Sequence, residues 1–143
     1  MTEKKGPKKD PLAGHAGRAA RILVVDDCDK TTKLIEHELK GKGFEITLAN
    51  SAEEATRLVT RPESRPDLIL LDVIMPGVDG RKFCRFIKSN EMFSGIKVIL
   101  CSGMNKQELK EATEKSGADG YVHKEDILGR WVLEQLKPEK GTE

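Results

Sequence analysis

From Arg21 onward the chain alternates short apolar runs with longer stretches of helical periodicity. Ile22–Val25 is continuously apolar, as suits a strand covered on both faces. Over Asp29–Lys40, Leu34, Ile35, Glu38 and Leu39 recur at helical spacing, and Gly41 and Gly43 can end that helix. Phe44–Ala49 alternates Phe44, Ile46 and Leu48, the period of a strand. Ser51 and Glu54 form a capping box that opens a helix running to Thr60. Pro62 and Pro66 bracket a loop before a second strongly apolar strand, Asp67–Leu71. A loop with Pro76, Gly77 and Gly80 leads to a helix over Arg81–Ser89, with Phe83, Phe86 and Ile87 on one face. Lys97–Leu100 is a strand, Asn105 caps a helix ending near Gly117, and Gly120–His123 is a short strand. Asp126–Leu136 is a last helix carrying Ile127, Trp131, Leu133 and Leu136.

Five strand–helix units with buried strands predict an α/β fold: a parallel sheet with helices on both faces, joined by right-handed crossovers. At 143 residues the chain makes one domain, large enough to bury a core without disulfides. Lys plus Arg is 25 against 24 for Asp plus Glu, which argues against a uniformly basic nucleic-acid binder. No apolar run approaches the roughly 18 residues of a membrane span, and no apolar stretch follows the first lysines as a secretory signal would need. Cys28, Cys84 and Cys101 are few, odd in number and far apart, which points to free thiols in a reducing, cytoplasmic compartment.

Residues 1–20 differ from the rest. Lys4, Lys5, Lys8, Lys9 and Arg18 face only Glu3 and Asp10, a net of +3. With Pro, Gly and almost no large apolar residue, this tail is expected to be disordered, before a folded domain over 21–137 and a frayed end at 138–143.

In such sheets a site forms beyond the carboxyl ends of the strands. Asp26 and Asp27 follow the first strand, Asp72 the third, Ser102 the fourth and Lys124 the fifth. Three converging carboxylates repel one another, and a hard divalent cation would relieve that repulsion. Oxygen ligands suit Mg²⁺, or Mn²⁺ in its place, rather than zinc. With the charge of Lys124 the cluster balances, so it can accept a phosphoryl group, and central Asp72 is the best nucleophile.

These residues, with Asp72-Val73-Ile74-Met75-Pro76-Gly77-Val78-Asp79-Gly80, Ser102-Gly103 and Tyr121-Val122-His123-Lys124, resemble the motifs of bacterial response-regulator receiver domains. The resemblance covers Arg21 to Leu136 and implies the flavodoxin-like, doubly wound (βα)5 form of the sheet. It implies Asp72 as phosphoacceptor from a histidine kinase or phosphotransfer protein. It gives Mg²⁺ to Asp27, Asp72 and the Ile74 carbonyl, with Asp26 helping through water, and phosphoryl contact to Lys124. Ser102 and Tyr121 would be the switch pair. They would alter the face of the fourth helix, fifth strand and fifth helix, where a downstream protein docks. On this reading the protein is a switch with at most slow self-phosphotransfer rather than an enzyme. No residue follows Glu143 to form a DNA-binding effector, so the resemblance is to a stand-alone, chemotaxis-regulator-like receiver.

Where the family usually has proline after the lysine, Glu125 stands here, and a trans bond is expected because a cis bond to a non-proline residue costs about 2.5–4 kcal/mol. Ile74 and Met104 occupy positions that often tune dephosphorylation in the family; neither can orient a water, so slow self-hydrolysis is expected. Cys28 reads as a small filler whose neighbouring carboxylates raise its pKa. His123 flanks the last strand rather than binding metal, and His15 and His37 have no ligand companions. The basic tail reads as a flexible arm, with electrostatic docking to an acidic partner, nucleic acid or anionic membrane as its alternative.

One competing reading is a pseudo-receiver, a constitutive interaction module that is not phosphorylated. Another is a Mg²⁺-dependent phosphatase with Asp27-Cys28-Asp29 as its DxD motif, which leaves Asp72 unexplained. Helix capping accounts for Asp29 but not for a cluster at the strand ends.

Overall fold

The computed structural model describes residues 19–75 and 78–124. Its sheet has five parallel strands: β1 (Arg21–Val25), β2 (Glu45–Ala49), β3 (Leu68–Asp72), β4 (Lys97–Ser102) and β5 (Gly120–His123). Among the described residues, four α-helices alternate with them: α1 (Asp29–Lys40), α2 (Ala52–Thr60), α3 (Gly80–Lys88) and α4 (Lys106–Ser116). The strand order is β2-β1-β3-β4-β5. The chain winds from β1 to β2, crosses back to β3 and continues the other way. That reversal opens a crevice between the carboxyl ends of β1 and β3. The fold is the parallel sheet that the pattern predicts, in the flavodoxin-like doubly wound form that the resemblance implies.

Alternation along the strands divides the core. Leu23, Val25, Ile69, Leu71, Val98 and Leu100 pack with Ala55 and Val59 of α2, Phe83, Cys84 and Ile87 of α3, and Leu109 and Ala112 of α4. Ile22, Val24, Leu68, Leu70, Ile99, Cys101 and Val122 pack with Ile35 and Leu39 of α1. The inner strands are apolar without a break because helices cover both their faces. β2, at the edge, alternates exposed Glu45 and Thr47 with half-buried Ile46 and Leu48.

Helix ends follow their signals. Ser51 Oγ accepts from Glu54 N at 3.1 Å, and Glu54 Oε1 accepts from Asn50 N at 3.2 Å. Asn105 Oδ1 accepts from Gln107 N and Glu108 N. Gly117, at φ 82°, closes α4 in the left-handed region that suits glycine.

Several expectations need correction. Leu34 is 50% exposed and Phe86 42%, although each falls within an apolar helical pattern. The buried stripes are Thr32, Ile35 and Leu39 on α1, and Gly80, Phe83, Cys84 and Ile87 on α3. At 100° per residue, Leu34 lies about 130° and Phe86 about 110° around its helix from the middle of those stripes, outside them. Asp29 is not a cap: Cys28 holds the N-cap position and Asp29 begins the helix. Residues 74–79 hold more than a loop, because Ile74–Met75 pairs antiparallel with Val78–Asp79. The tail at 1–18, Glu125 and its peptide bond, the last helix with Trp131, and the C-terminal end lie outside the described residues.

Candidate functional site

The register brings the strand ends level: Val25 lies opposite Leu71, Asp72 opposite Cys101, and Ser102 opposite His123. Each apolar run stops at this edge, so the next side chains are polar and face the crevice. Asp26 and Asp72 are buried, at 3% and 5% exposure, while Asp27 is exposed. One carboxylate oxygen from each lies within 4.8 Å of the others.

Lys124, directly after β5, reaches across to this cluster. Its Nζ stands 2.9 Å from Asp26 Oδ2 and 3.5 Å from Asp72 Oδ2. Backbone amides hold the other oxygens: Cys28 N donates to Asp26 Oδ1 at 2.9 Å, and Ile74 N to Asp72 Oδ1 at 3.3 Å. Asp26 Oδ2 is buried with an ion pair but no hydrogen bond of good geometry, the lone such side-chain atom among the described residues. Ser102 is buried, and its Oγ accepts from Met104 N at 3.2 Å. Tyr121 is half-buried and packs against the core cluster that α2, α3 and α4 cover.

Burial and then repulsion from Asp26 push Asp72 up to about 6; Lys124 and the Ile74 amide pull the other way and lose. For Lys124 burial opposes the charge, but contact with Asp26 and the fields of both carboxylates outweigh it, so its pKa rises. Three carboxylates against one ammonium leave two negative charges unbalanced. An all-oxygen donor set, with a buried Asp26 oxygen still lacking an aligned donor, fits a hard divalent cation such as Mg²⁺ or Mn²⁺.

The start of α3 closes against this edge. Gly80 N donates to Val73 O at 2.8 Å, and a Cβ on Gly80 would stand 2.2 Å from the Asp72 carbonyl oxygen. Only glycine allows that approach. Asp79 caps the helix by accepting from Arg81 N at 2.9 Å, and its carboxylate also pairs with the Arg81 guanidinium.

Asp26, Asp27, Asp72 and Lys124 are thus brought together as their positions predict, with Ser102 on the neighbouring strand end. Asp29 sits in the first turn of α1 outside the acidic cluster, which removes the partner a DxD phosphatase motif needs. Cys28 is exposed rather than a filler. Its thiol is held below its usual value, foremost by a hydrogen bond to Thr31; repulsion from Asp26 is the weakest contribution. His123 lies half-buried on β5. Ile74 is 62% exposed beside Asp72, and Met104 is half-buried. Sequence reasoning missed the amides of Cys28 and Ile74 and the close approach of Gly80. Backbone donors carry no side-chain signal, though a glycine directly after a capping aspartate was visible.

Fold and site together define a doubly wound α/β protein whose carboxylates meet a lysine at the switch point. The sequence profile of the response regulator receiver domain matches residues 22–129, and the chain belongs to that family, the receiver module of two-component signalling. It is 35% identical over 112 residues to the response regulator PleD of Caulobacter vibrioides, covering 77% of this chain and 24% of PleD. It is 32% identical to the response regulator MprA of Mycobacterium leprae, covering 86% of this chain and 55% of MprA. The chain therefore spans between about a quarter and about half of these relatives. Among solved structures, the signal receiver domain of a Syntrophus aciditrophicus signal transduction histidine kinase is 29% identical, with a TM-score of 0.69 over 81% of this chain and 85% of that one. The chemotaxis response regulator CheY4 of Vibrio cholerae shares the fold, with a TM-score of 0.72 at 24% identity over 82% and 96% of the two chains. No helix among the described residues is long and apolar enough to cross a membrane.

Proposed function

We propose that this receiver is a phosphoacceptor switch, with Asp72 taking a phosphoryl group from a histidine kinase or phosphotransfer protein. The observation that carries this reading is the buried Asp26–Lys124–Asp72 arrangement, with Asp72 central and poorly neutralised. An Asp72 oxygen attacks phosphorus of a phosphohistidine whose other ring nitrogen is protonated; the phosphorus–nitrogen bond breaks with its electron pair staying on nitrogen, and the imidazole leaves neutral. The product is an acyl phosphate. Lys124 has an ammonium within reach of the transferred oxygens and keeps Asp26 compensated. Asp26, Asp27, Asp72 and the Ile74 carbonyl would hold Mg²⁺. When bound, Mg²⁺ supplies positive charge that offsets the carboxylates and the incoming phosphoryl oxygens.

Ser102 gives up its local bond to the Met104 amide and turns its hydroxyl to the phosphate. Tyr121, on the strand beside it, repacks. The surface of α4, β5 and the segment after Lys124 then presents a different face to a downstream protein. The domain does not turn over a substrate. Its free thiols suit the reducing cytoplasm, where we place it. Ile74 and Met104 offer no group to orient an attacking water, so hydrolysis of the product is slow.

Amide spectra recorded with acetyl phosphate and Mg²⁺ test the switch. Signals of Ser102, Met104 and Tyr121 should move together and return over minutes or longer once the donor is removed. Unmoved signals under phosphorylation, or a return within seconds, would contradict it.

A further inference from the structure

Helix α3 carries Arg81, Lys82, Arg85 and Lys88 and no acidic residue. Two of these cations are engaged within the fold. Arg81 Nε stands 2.9 Å from Asp79 Oδ1, and Lys88 Nζ stands 2.9 Å from Asp119 Oδ2 and donates to Ile96 O at 3.1 Å. Lys82 and Arg85 are exposed, and neither makes a salt bridge among the described residues.

On the same outer face, Phe86 is 42% exposed. Lys82 lies one helical turn before it, and Arg85 is its immediate neighbour. The ring is held in place: it is tilted against Phe83 with centroids 6.3 Å apart and edge-on to Phe93 at 5.7 Å. Arg65 adds a third cation beside this aromatic group, its guanidinium 5.3 Å over the Phe93 ring and its Nε donating to Val59 O at 2.7 Å. Past the helix end, Met92 is 62% exposed in the 3-10 turn Glu91–Phe93. Two of the four large apolar side chains exposed among the described residues thus fall in this one stretch. Residues 80–93 set four basic residues against Glu91 alone, a net of +3, while the whole chain carries +1. An aromatic ring already fixed by its neighbours loses little freedom when a partner covers it, and cations at its rim are placed to meet carboxylates.

We propose that the outer face of α3 is a docking surface for an acidic segment of another protein that also carries an aromatic or long aliphatic side chain. Phe86 is its apolar centre, and Lys82, Arg85 and, across Phe93, Arg65 are its cations. The partner's apolar side chain covers Phe86, and its flanking carboxylates meet the cations. One held ring with Met92 past the helix end is a small apolar face for a lipid surface, and a chain of net charge +1 lacks the strong basic excess of a nucleic-acid binder. Docking here does not require phosphoryl transfer to Asp72.

The test is a titration of the full chain, followed by its amide spectrum, with a random copolymer of glutamate and tyrosine. Polyglutamate, phosphatidylglycerol vesicles and polyuridylate are titrated beside it. The copolymer should shift the signals of residues 82–93 and bind this stretch about tenfold more tightly than polyglutamate does. Phe86→Ser should remove that advantage, and Arg85→Glu should weaken binding about fivefold or more, with the rest of the spectrum in place. Reading the shifts residue by residue separates this face from the basic residues at 1–20. Equal affinity for the two polymers, undiminished binding in Phe86→Ser, or shifts confined to other basic positions would overturn the proposal. Tighter binding of residues 82–93 to the vesicles or to polyuridylate would overturn it too, and would assign the face to a membrane or to nucleic acid.

Discussion

Asp72 concentrates the electrostatic tension of the site. It is buried beside Asp26, and its carboxyl titrates near 6 instead of 3.8. The folded state therefore binds this proton more tightly than the unfolded chain does. The stability this provides is complete below pH about 4 and is lost as the pH rises through about 6. In metal-free protein at pH 7, Asp72→Asn should thus be more stable than the parent by on the order of 2 kcal/mol. The side chain is only 6% exposed, so solvent screening removes little of this. Urea unfolding in a chelator at pH 7 and pH 4 checks it: the advantage should shrink at the lower pH, and an equal difference at both would contradict the assignment. The identity of these residues was legible because a charged side chain directly after a strand run has few structural uses. The contrast between buried Asp26 and exposed Asp27 was not, because it depends on how β1 hands over to α1.

Elements place those residues, and the tightest placement is where α3 meets the end of β3. Gly80→Ala puts a methyl group 2.2 Å from the Asp72 carbonyl oxygen and about 3.0 Å from Val73. Backbone atoms cannot yield as a flexible side chain would, so α3 must shift. A loss of about 2–3 kcal/mol is expected, by urea unfolding, with a reduced yield of phosphorylated protein. Full retention of both would show that the approach is not tight. Element existence followed from periodicity and from caps such as Ser51 and Asn105. Fine burial did not: Phe83 and Phe86 look equivalent in sequence, yet the first is buried and the second lies outside, tilted against Phe83 and edge-on to Phe93. The hairpin at 74–79 also escaped, since two-residue strands leave no period to detect.

For the whole molecule, the strand order matters more than any single contact. Reversal between β1 and β3 sets Asp26 and Asp72 side by side, and the outward run to β5 leaves Lys124 able to span both. Three continuously apolar strand runs, with the alternating β2 and the short β5, made that sheet legible in sequence. The central claim is that this arrangement exists to make Asp72 a phosphoacceptor. Intact mass after incubation with acetyl phosphate and Mg²⁺, beside Asp72→Asn, tests it most directly. The account predicts a single phosphoryl adduct that needs the metal and is absent from Asp72→Asn. An adduct of equal yield in Asp72→Asn, or none on the parent with either acetyl phosphate or a phosphorylated histidine kinase, would contradict it.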